Sequence, residues 1–335
     1  MNLNTLTREL IDIPSLTGDE AAVASFLVQY LKRLDYRVEL QPVVDGRSNL
    51  IATTAGTPSV FLSTHMDTVP TYVPSSEDDK YIYGRGACDA KGIIAGQIVA
   101  AETLRAEGTE IGLLFTVDEE AGSLGAKAAN DHPLARSCEY LINGEPTDNI
   151  LATGSKGSLR LRIKTEGRAG HSAYPERGRS AIDILLDVLG DLRNWDWPSS
   201  EKFGETTCNI GTINGGTRPN VIAAEAEAEL QIRLVTAGTQ IKERLELLVA
   251  GRAKVEYLSM AEPVDLLAVE GFETAAVRFT TDVPYLTNWG TPLLIGPGSI
   301  MDAHTDHERV SKRELTAAVD IYAGLVRTLI ARSEQ

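Results

Sequence analysis

The chemically capable residues of this sequence fall where apolar runs end. His65 closes the run Ser59-Val60-Phe61-Leu62-Ser63-Thr64, and Asp67 follows two positions later. At that spacing a carboxylate can accept the imidazole's second N–H and so orient a metal-bound ring. Asp89 lies in Gly84-Arg85-Gly86-Ala87-Cys88-Asp89-Ala90-Lys91-Gly92, where a glycine-rich loop enters a helix. Glu119 and Glu120 follow the apolar stretch Ile111 to Val117, and two adjacent carboxylates can serve a metal and a proton transfer separately. Glu145 stands between Gly144 and Pro146, and His304 lies in Ala303-His304-Thr305-Asp306-His307-Glu308, after the turn Gly296-Pro297-Gly298.

Each of these has an ordinary alternative. Asp89 can cap the helix that follows it, the Glu pair can be a solvated strand end, Glu145 a turn residue and His304 a surface-loop residue. Jointly the alternatives lose force, because every ligand-type side chain falls on the same rim of one expected sheet. Two imidazoles and three carboxylates, with one Glu to spare, suit two divalent ions about 3.5–4 Å apart that share a carboxylate and a hydroxide. The mix of donors suits zinc, with cobalt or manganese as neighbours.

The elements that must position this set are legible from periodicity. Leu27, Leu31 and Leu34 keep helical spacing in an opening segment from about Asn4 to Leu34, and strand-like runs follow at Val38 to Leu40 and Asn49 to Thr53. Ser59 to Thr64 and Ile111 to Val117 are short continuous apolar runs, the signature of strands buried on both faces. A helix from Ala90 to Glu107 lies between them, and Tyr140 to Ile142 makes a further strand. This order predicts an α/β class with a mixed, mostly parallel doubly wound sheet, in which ligands gather at the carboxyl ends of the strands. From Ser155 the texture changes: Leu159, Leu161 and Ile163 alternate with Arg160, Arg162 and Lys164, as in a sheet with one wet face. Strand, helix, two strands, helix and strand then follow, a ferredoxin-like βαββαβ order. The expected organisation is therefore one sheet domain from residues 1–154 and 265–335, with residues 155–264 inserted into it. Pro292 to Ile295 and Ser311 to Arg332 return the chain to the larger sheet as a strand and a closing helix.

The runs Ser63-Thr64-His65-Met66-Asp67-Thr68-Val69-Pro70, Gly84 to Gly92, Asp118-Glu119-Glu120-Ala121-Gly122-Ser123, Gly144-Glu145-Pro146-Thr147 and Gly170-His171-Ser172 together resemble the aminoacylase, carboxypeptidase and acetylornithine deacetylase family of metallohydrolases. The resemblance covers essentially the whole chain, and the tail from Gly296 through His304 to Glu308 is most similar to bacterial acetylornithine deacetylase. It implies His65 and Glu145 on one ion, Glu120 and His304 on the other, Asp89 bridging, Glu119 as general base and Asp67 orienting His65. It further implies that His171 stabilises an oxyanion, reaching across to a partner's site as in dimeric relatives. Asn220 and Arg233 are implied to grip a free α-carboxylate as a pair, with Gly298 also on the substrate side. The inserted βαββαβ domain is implied to be a lid and dimerisation domain. His132 and His307 are expected to be structural. The segment Thr71 to Lys80 is shorter than in many relatives, which bears on the shape of the cleft mouth.

Lys and Arg total 32 against 47 Asp and Glu, a net charge of −15 that repels nucleic acid and anionic lipid. No basic, apolar leader opens the sequence and no run approaches the about 20 apolar residues of a membrane span. Cys88, Cys138 and Cys208 are odd in number and far apart, which fits a reducing compartment and a cytoplasmic protein. The expected activity is hydrolysis of the amide of an N-acyl amino acid or short peptide, with N-acetylornithine, in arginine biosynthesis, as the leading substrate. A dipeptidase, carboxypeptidase or desuccinylase is the alternative. Removal of lysine or ornithine from an acidic carrier protein is disfavoured by like charge, and a metal-free binding protein by the completeness of the ligand set. The exposed edge of the inserted sheet predicts a homodimer.

Overall fold

The computed structural model describes residues 2–333, which divide into two compact units. The larger contains the residues up to Thr153, Asp265–Ala275 and those from Thr281 on; the smaller is Gly154–Val264 with Ala276–Thr280. Residues 276–280 thus leave the larger unit, to which the sequence boundaries assign them. The Val277 carbonyl accepts the Lys156 amide at 3.3 Å, a pairing too distant in sequence for periodicity to reveal.

The six strands of the larger sheet run in the order Arg37–Val44, Arg47–Thr53, Gly112–Thr116, Val60–His65, Tyr140–Asn143 and Thr291–Leu294. The last four are mutually parallel, and the first two form an antiparallel hairpin on their edge. Because side chains alternate across a strand, the four inner strands each feed two cores. Leu50, Ala52, Val60, Leu62, Leu113, Phe115 and Ile142 pack on one face with the helices Leu3–Ile11, Ala21–Arg33, Lys91–Ala106 and Lys312–Ser333. Ile51, Phe61, Leu114 and Leu141 pack on the other with Ala126, Ala129 and Trp289. Phe61 meets Trp289 edge-on, with centroids 4.9 Å apart, and the indole N–H donates to the Ala129 carbonyl at 2.9 Å. Gly112 is required beside Phe61, since a Cβ there would lie 2.2 Å from the ring.

The opening helical segment is two helices, Leu3–Ile11 and Ala21–Arg33. Pro14, which has no N–H to donate, and Gly18 at φ +104° lie between them.

The smaller unit is an antiparallel sheet in the order Thr207–Gly215, Glu225–Leu234, Gly157–Glu166 and Lys254–Ala261, with the helices Ala181–Arg193 and Gly238–Val249 on one face. Leu159, Leu161 and Ile163 point into that core. On the opposite face Arg160 and Arg162 pair with Glu229, and Lys164 pairs with Glu256. The Ser180 hydroxyl caps the first helix by accepting the Asp183 amide. Among the described residues no helix is long and apolar enough to cross a membrane.

Candidate metal centre

Four adjacent parallel strands deliver their following residues to one edge of the larger sheet. His65 is the last residue of its strand, Glu119 and Glu120 follow Gly112–Thr116, and Glu145 follows Tyr140–Asn143. His304 arrives on the loop beyond Thr291–Leu294, at φ +62°. Asp89 comes from the loop before the helix Lys91–Ala106. It does not cap that helix: Ala90 occupies the N-cap position and no side chain closes it.

Instead the Asp89 carboxylate faces both histidines. Its Oδ1 is 2.9 Å from His65 Nε2 and its Oδ2 is 3.3 Å from His304 Nε2. Glu120 Oε1 lies 2.8 Å from the same His304 nitrogen. The ligand atoms of His65, Asp89 and Glu120 all lie within 4.8 Å of one another.

The electrostatics follow from crowding acids in a desolvated rim. Burial pushes the Glu119 carboxyl well above the ordinary range, with Glu145, Asp282 and Glu120 adding repulsion and His65 opposing. Glu145 is pushed well up by burial too, with Asp89, Glu120 and Asp282 adding to it and His65 again opposing. Asp89 is held low, because the two imidazoles outweigh its burial. His304 is pushed up to about 10 by hydrogen bonds with Asp89 and Glu120. A site that gathers this many acids around two imidazoles is short of positive charge, and two divalent cations would supply it. The donor set therefore fits the expected ions.

Asp67 departs from its expected contact. The His65 Nδ1 lies 2.9 Å from the Asp67 backbone carbonyl, while the nearer carboxylate oxygen is 3.6 Å away. The carboxylate is occupied otherwise: it accepts the Thr17 hydroxyl at 2.8 Å and the amides of Glu119 and Glu120 at 3.1 Å each. Asp67 thus joins the His65 strand end to the Glu pair.

Further groups shape the centre: Asp282 lies in no quoted motif, whereas Asp118, Arg85 and Glu308 lie inside quoted motifs in which they had no role assigned. Asp118, at φ +70°, accepts the amides of Gly122 and Leu124 and pairs with Arg47 at 2.9 Å, which shapes the turn carrying Glu119 and Glu120. Asp282 is buried; its Oδ2 accepts the Thr116 hydroxyl at 2.7 Å, and its Oδ1 has no hydrogen-bond partner among the described residues. Burial pushes this carboxyl up to about 6, against the hydroxyls of Thr116 and Ser123. Arg85 and Glu308 form a buried ion pair at 2.7 Å.

The remaining candidates lie elsewhere. His171 is exposed in the smaller unit, where its Nδ1 accepts the Ala173 amide and its backbone pairs with Val221. Asn220 is also exposed, and its carbonyl accepts the Ser172 amide. Arg233 donates to the Thr280 hydroxyl at 3.2 Å. Asn220 and Arg233 do not form a pair within one chain. Asn220 precedes the ten-residue strand Glu225–Leu234 and Arg233 is next to its far end, which puts them on the order of 25 Å apart at about 3.3 Å per residue. Gly298, at φ +86°, packs so closely that a Cβ would lie 2.5 Å from that of Cys88. That closeness is itself sufficient reason for a glycine. His132 stacks beside Trp289 and accepts the Leu134 amide, whereas His307 is exposed.

Comparison with known proteins places this arrangement. Residues 153–258 match the family model described as a peptidase dimerisation domain, and residues 49–175 match that of peptidase family M28. A probable carboxypeptidase of Emericella nidulans is 37% identical over 98% of this chain and 89% of its own length. A peptidase M20 domain-containing protein of Schizosaccharomyces pombe is 37% identical over 97% of this chain and 84% of its own. The chain belongs to the M20 peptidase family. It is a metallopeptidase, and the broad resemblance seen in its motifs is correct. The narrower resemblance to acetylornithine deacetylase is not what these relatives carry in their names. In fold, an M20 family metallo-carboxypeptidase of Sulfolobus solfataricus is similar with a TM-score of 0.79 at 15% identity, covering 97% of this chain and 99% of that one.

Proposed function

We propose that this M20 peptidase is a two-metal carboxypeptidase or dipeptidase that hydrolyses the amide preceding a residue with a free α-carboxylate. The observation that carries this reading is Asp89, whose two oxygens face His65 and His304 separately. His65 and Glu145 would hold one ion and Glu120 and His304 the other, with Asp89 between them. When bound, the ions lower the pKa of a water and polarise the scissile carbonyl. Zinc suits the donors, and cobalt or manganese can replace it. Glu119, kept basic by its burial and, after that, by its acidic neighbours, takes the proton of the attacking water and returns it to the leaving amine. Asp67 holds Glu119 and Glu120 by their amides. Arg233 binds the substrate carboxylate, bidentate if both guanidinium nitrogens engage.

The match to a dimerisation domain supports a homodimer through the smaller unit. Thr207–Gly215 is an edge strand, and Leu186, Ile213 and Val221 are exposed large apolar side chains. In this reading His171 and Asn220 act on the site of a second copy, which accounts for their distance from Arg233.

Metal-stripped protein should be tested on a C-terminally free dipeptide, an N-acyl dipeptide, N-acetylornithine and N-succinyl-diaminopimelate, with zinc or cobalt added back. Peptide cleavage that needs metal and is lost in Glu119→Gln supports the proposal. Preference for N-acetylornithine would return the deacetylase reading to first place. Mixing inactive His171→Ala with inactive Glu119→Gln should restore up to about a quarter of the activity if the histidine works in the partner's site. No recovery between mixed, exchanging subunits would refute that arrangement.

A further inference from the structure

The buried pair Arg85 and Glu308 joins two loops that each carry one of the candidate ligands. Glu308 follows His304 on one loop, and its carboxylate reaches into the other, where Oε1 accepts the amides of Cys88 at 3.2 Å and Asp89 at 3.1 Å. Its Oε2 accepts Arg85 Nη1 at 2.7 Å. Arg85 reaches back the other way: the same Nη1 donates to the Thr305 carbonyl, one residue from His304, and Nε donates to the Thr71 carbonyl. The Gly84 amide donates to the Glu308 carbonyl at 3.0 Å, which completes a reciprocal clasp. Both residues are only 2% exposed, so the contacts are screened little by water.

The hydrogen bonds to the Glu308 carboxylate come from donors: the amides of Cys88 and Asp89, the Arg85 guanidinium and, more distantly, the Cys88 thiol at 3.6 Å. Only a carboxylate can accept all of them. A glutamine would turn its own NH2 either onto the amides or onto Arg85, donor against donor.

We propose that Glu308, acting with Arg85, is a positioning residue that fixes the spacing of Asp89 and His304, and so the affinity and geometry of the ion those two residues share. It touches neither metal nor substrate. This rests on the two-metal reading of the site. Groups that orient metal ligands typically change affinity by about 10–100-fold when removed, and Glu308 holds the backbone of the one ligand that faces both histidines.

The test is a cobalt(II) titration of metal-stripped wild type, Glu308→Gln and Arg85→Lys. Calorimetry gives the stoichiometry, visible absorption reports ligand geometry, and thermal melts of the metal-free forms report folding. Wild type should take up two equivalents. Glu308→Gln should bind one of them about 10–100-fold more weakly with an altered cobalt spectrum, and Arg85→Lys should change in the same direction to a smaller extent. If Glu308→Gln does not fold, the Arg85→Lys titration decides. Variants that melt lower yet bind two equivalents with wild-type affinity and spectrum would show a merely structural pair and overturn the proposal. A wild type that binds no metal would overturn the two-metal reading and this inference with it.

Discussion

Replacing Asp67 by asparagine tests the centre without removing a ligand. The buried carboxylate accepts three hydrogen bonds, from the Thr17 hydroxyl and the amides of Glu119 and Glu120. An asparagine keeps one acceptor oxygen, and its NH2 must face a backbone N–H in either orientation. The variant therefore loses at least one charge-assisted bond and strands a buried donor, a cost of about 2–4 kcal/mol. The amides that lose their acceptor belong to the residues proposed as base and ligand, and a displacement of about 1 Å there can cost 10²-fold in rate. Urea unfolding of the metal-free protein gives the first quantity, and kcat/KM at saturating metal gives the second. The pH dependence is a further check. Burial pushes the Asp67 carboxyl up, but His65 and the bonds from Thr17 and Glu120 outweigh it and hold the group below its usual 3.8. A depressed folded-state value contributes stability at neutral pH that is lost as pH falls through that lowered value. The gap between wild type and Asp67→Asn should therefore narrow on acidification below about pH 4. A gap under about 0.5 kcal/mol at pH 7 with full activity, or one that widens in acid, would refute the reasoning.

Glu119→Gln should lower kcat by about 10²–10⁴-fold while metal content, measured by elemental analysis, stays at the wild-type level. Gly112→Ala should destabilise by about 1–3 kcal/mol in a denaturant melt, because the new methyl overlaps a Phe61 ring already wedged against Trp289. Lys91 is buried, and burial pulls its ammonium down to about 7, with Glu308 and Asp12 opposing. Between about pH 7 and the ordinary value of 10.5 the unfolded chain holds more protons, so wild-type stability should climb over that window. Lys91→Met should accordingly be most stabilising at or below pH 7 and lose its advantage toward pH 10 in melts across that range, offset throughout by the Ile13 carbonyl it leaves without its donor.

Much of this protein is legible in its sequence, for identifiable reasons. Strands buried on both faces must be apolar throughout, so a charged or imidazole-bearing residue just past such a run stands out, as His65, Glu119 and Glu145 do. The inserted unit shows itself because one wet face forces Leu159, Leu161 and Ile163 into strict alternation with Arg160, Arg162 and Lys164. What stayed hidden depends on distance or on atom-level geometry. Asp282 is an unremarkable Thr-Asp in a loop until its strand neighbour Thr116, 166 residues earlier, is placed against it. Spacing alone cannot tell whether the carbonyl or the carboxylate of Asp67 meets His65. The resemblance implies that Asn220 and Arg233 act as a pair, but a fully extended strand carries them apart within one chain.

The proposed ligands are spread along the chain in time as well as in space. During synthesis from the N-terminus, His65, Asp89, Glu120 and Glu145 emerge long before His304, which follows Glu120 by 184 residues. The inserted unit, with its own apolar core, is made in between and can fold as a body while the acidic rim still lacks its last imidazole. The strand Thr291–Leu294 and the helix Lys312–Ser333 that seat the His304 loop are among the last segments made. Under the proposed assignment, the residues for one ion, His65, Asp89 and Glu145, are all made before the inserted unit, whereas the ion shared with His304 has its full donor set only once the C-terminal segment is in place.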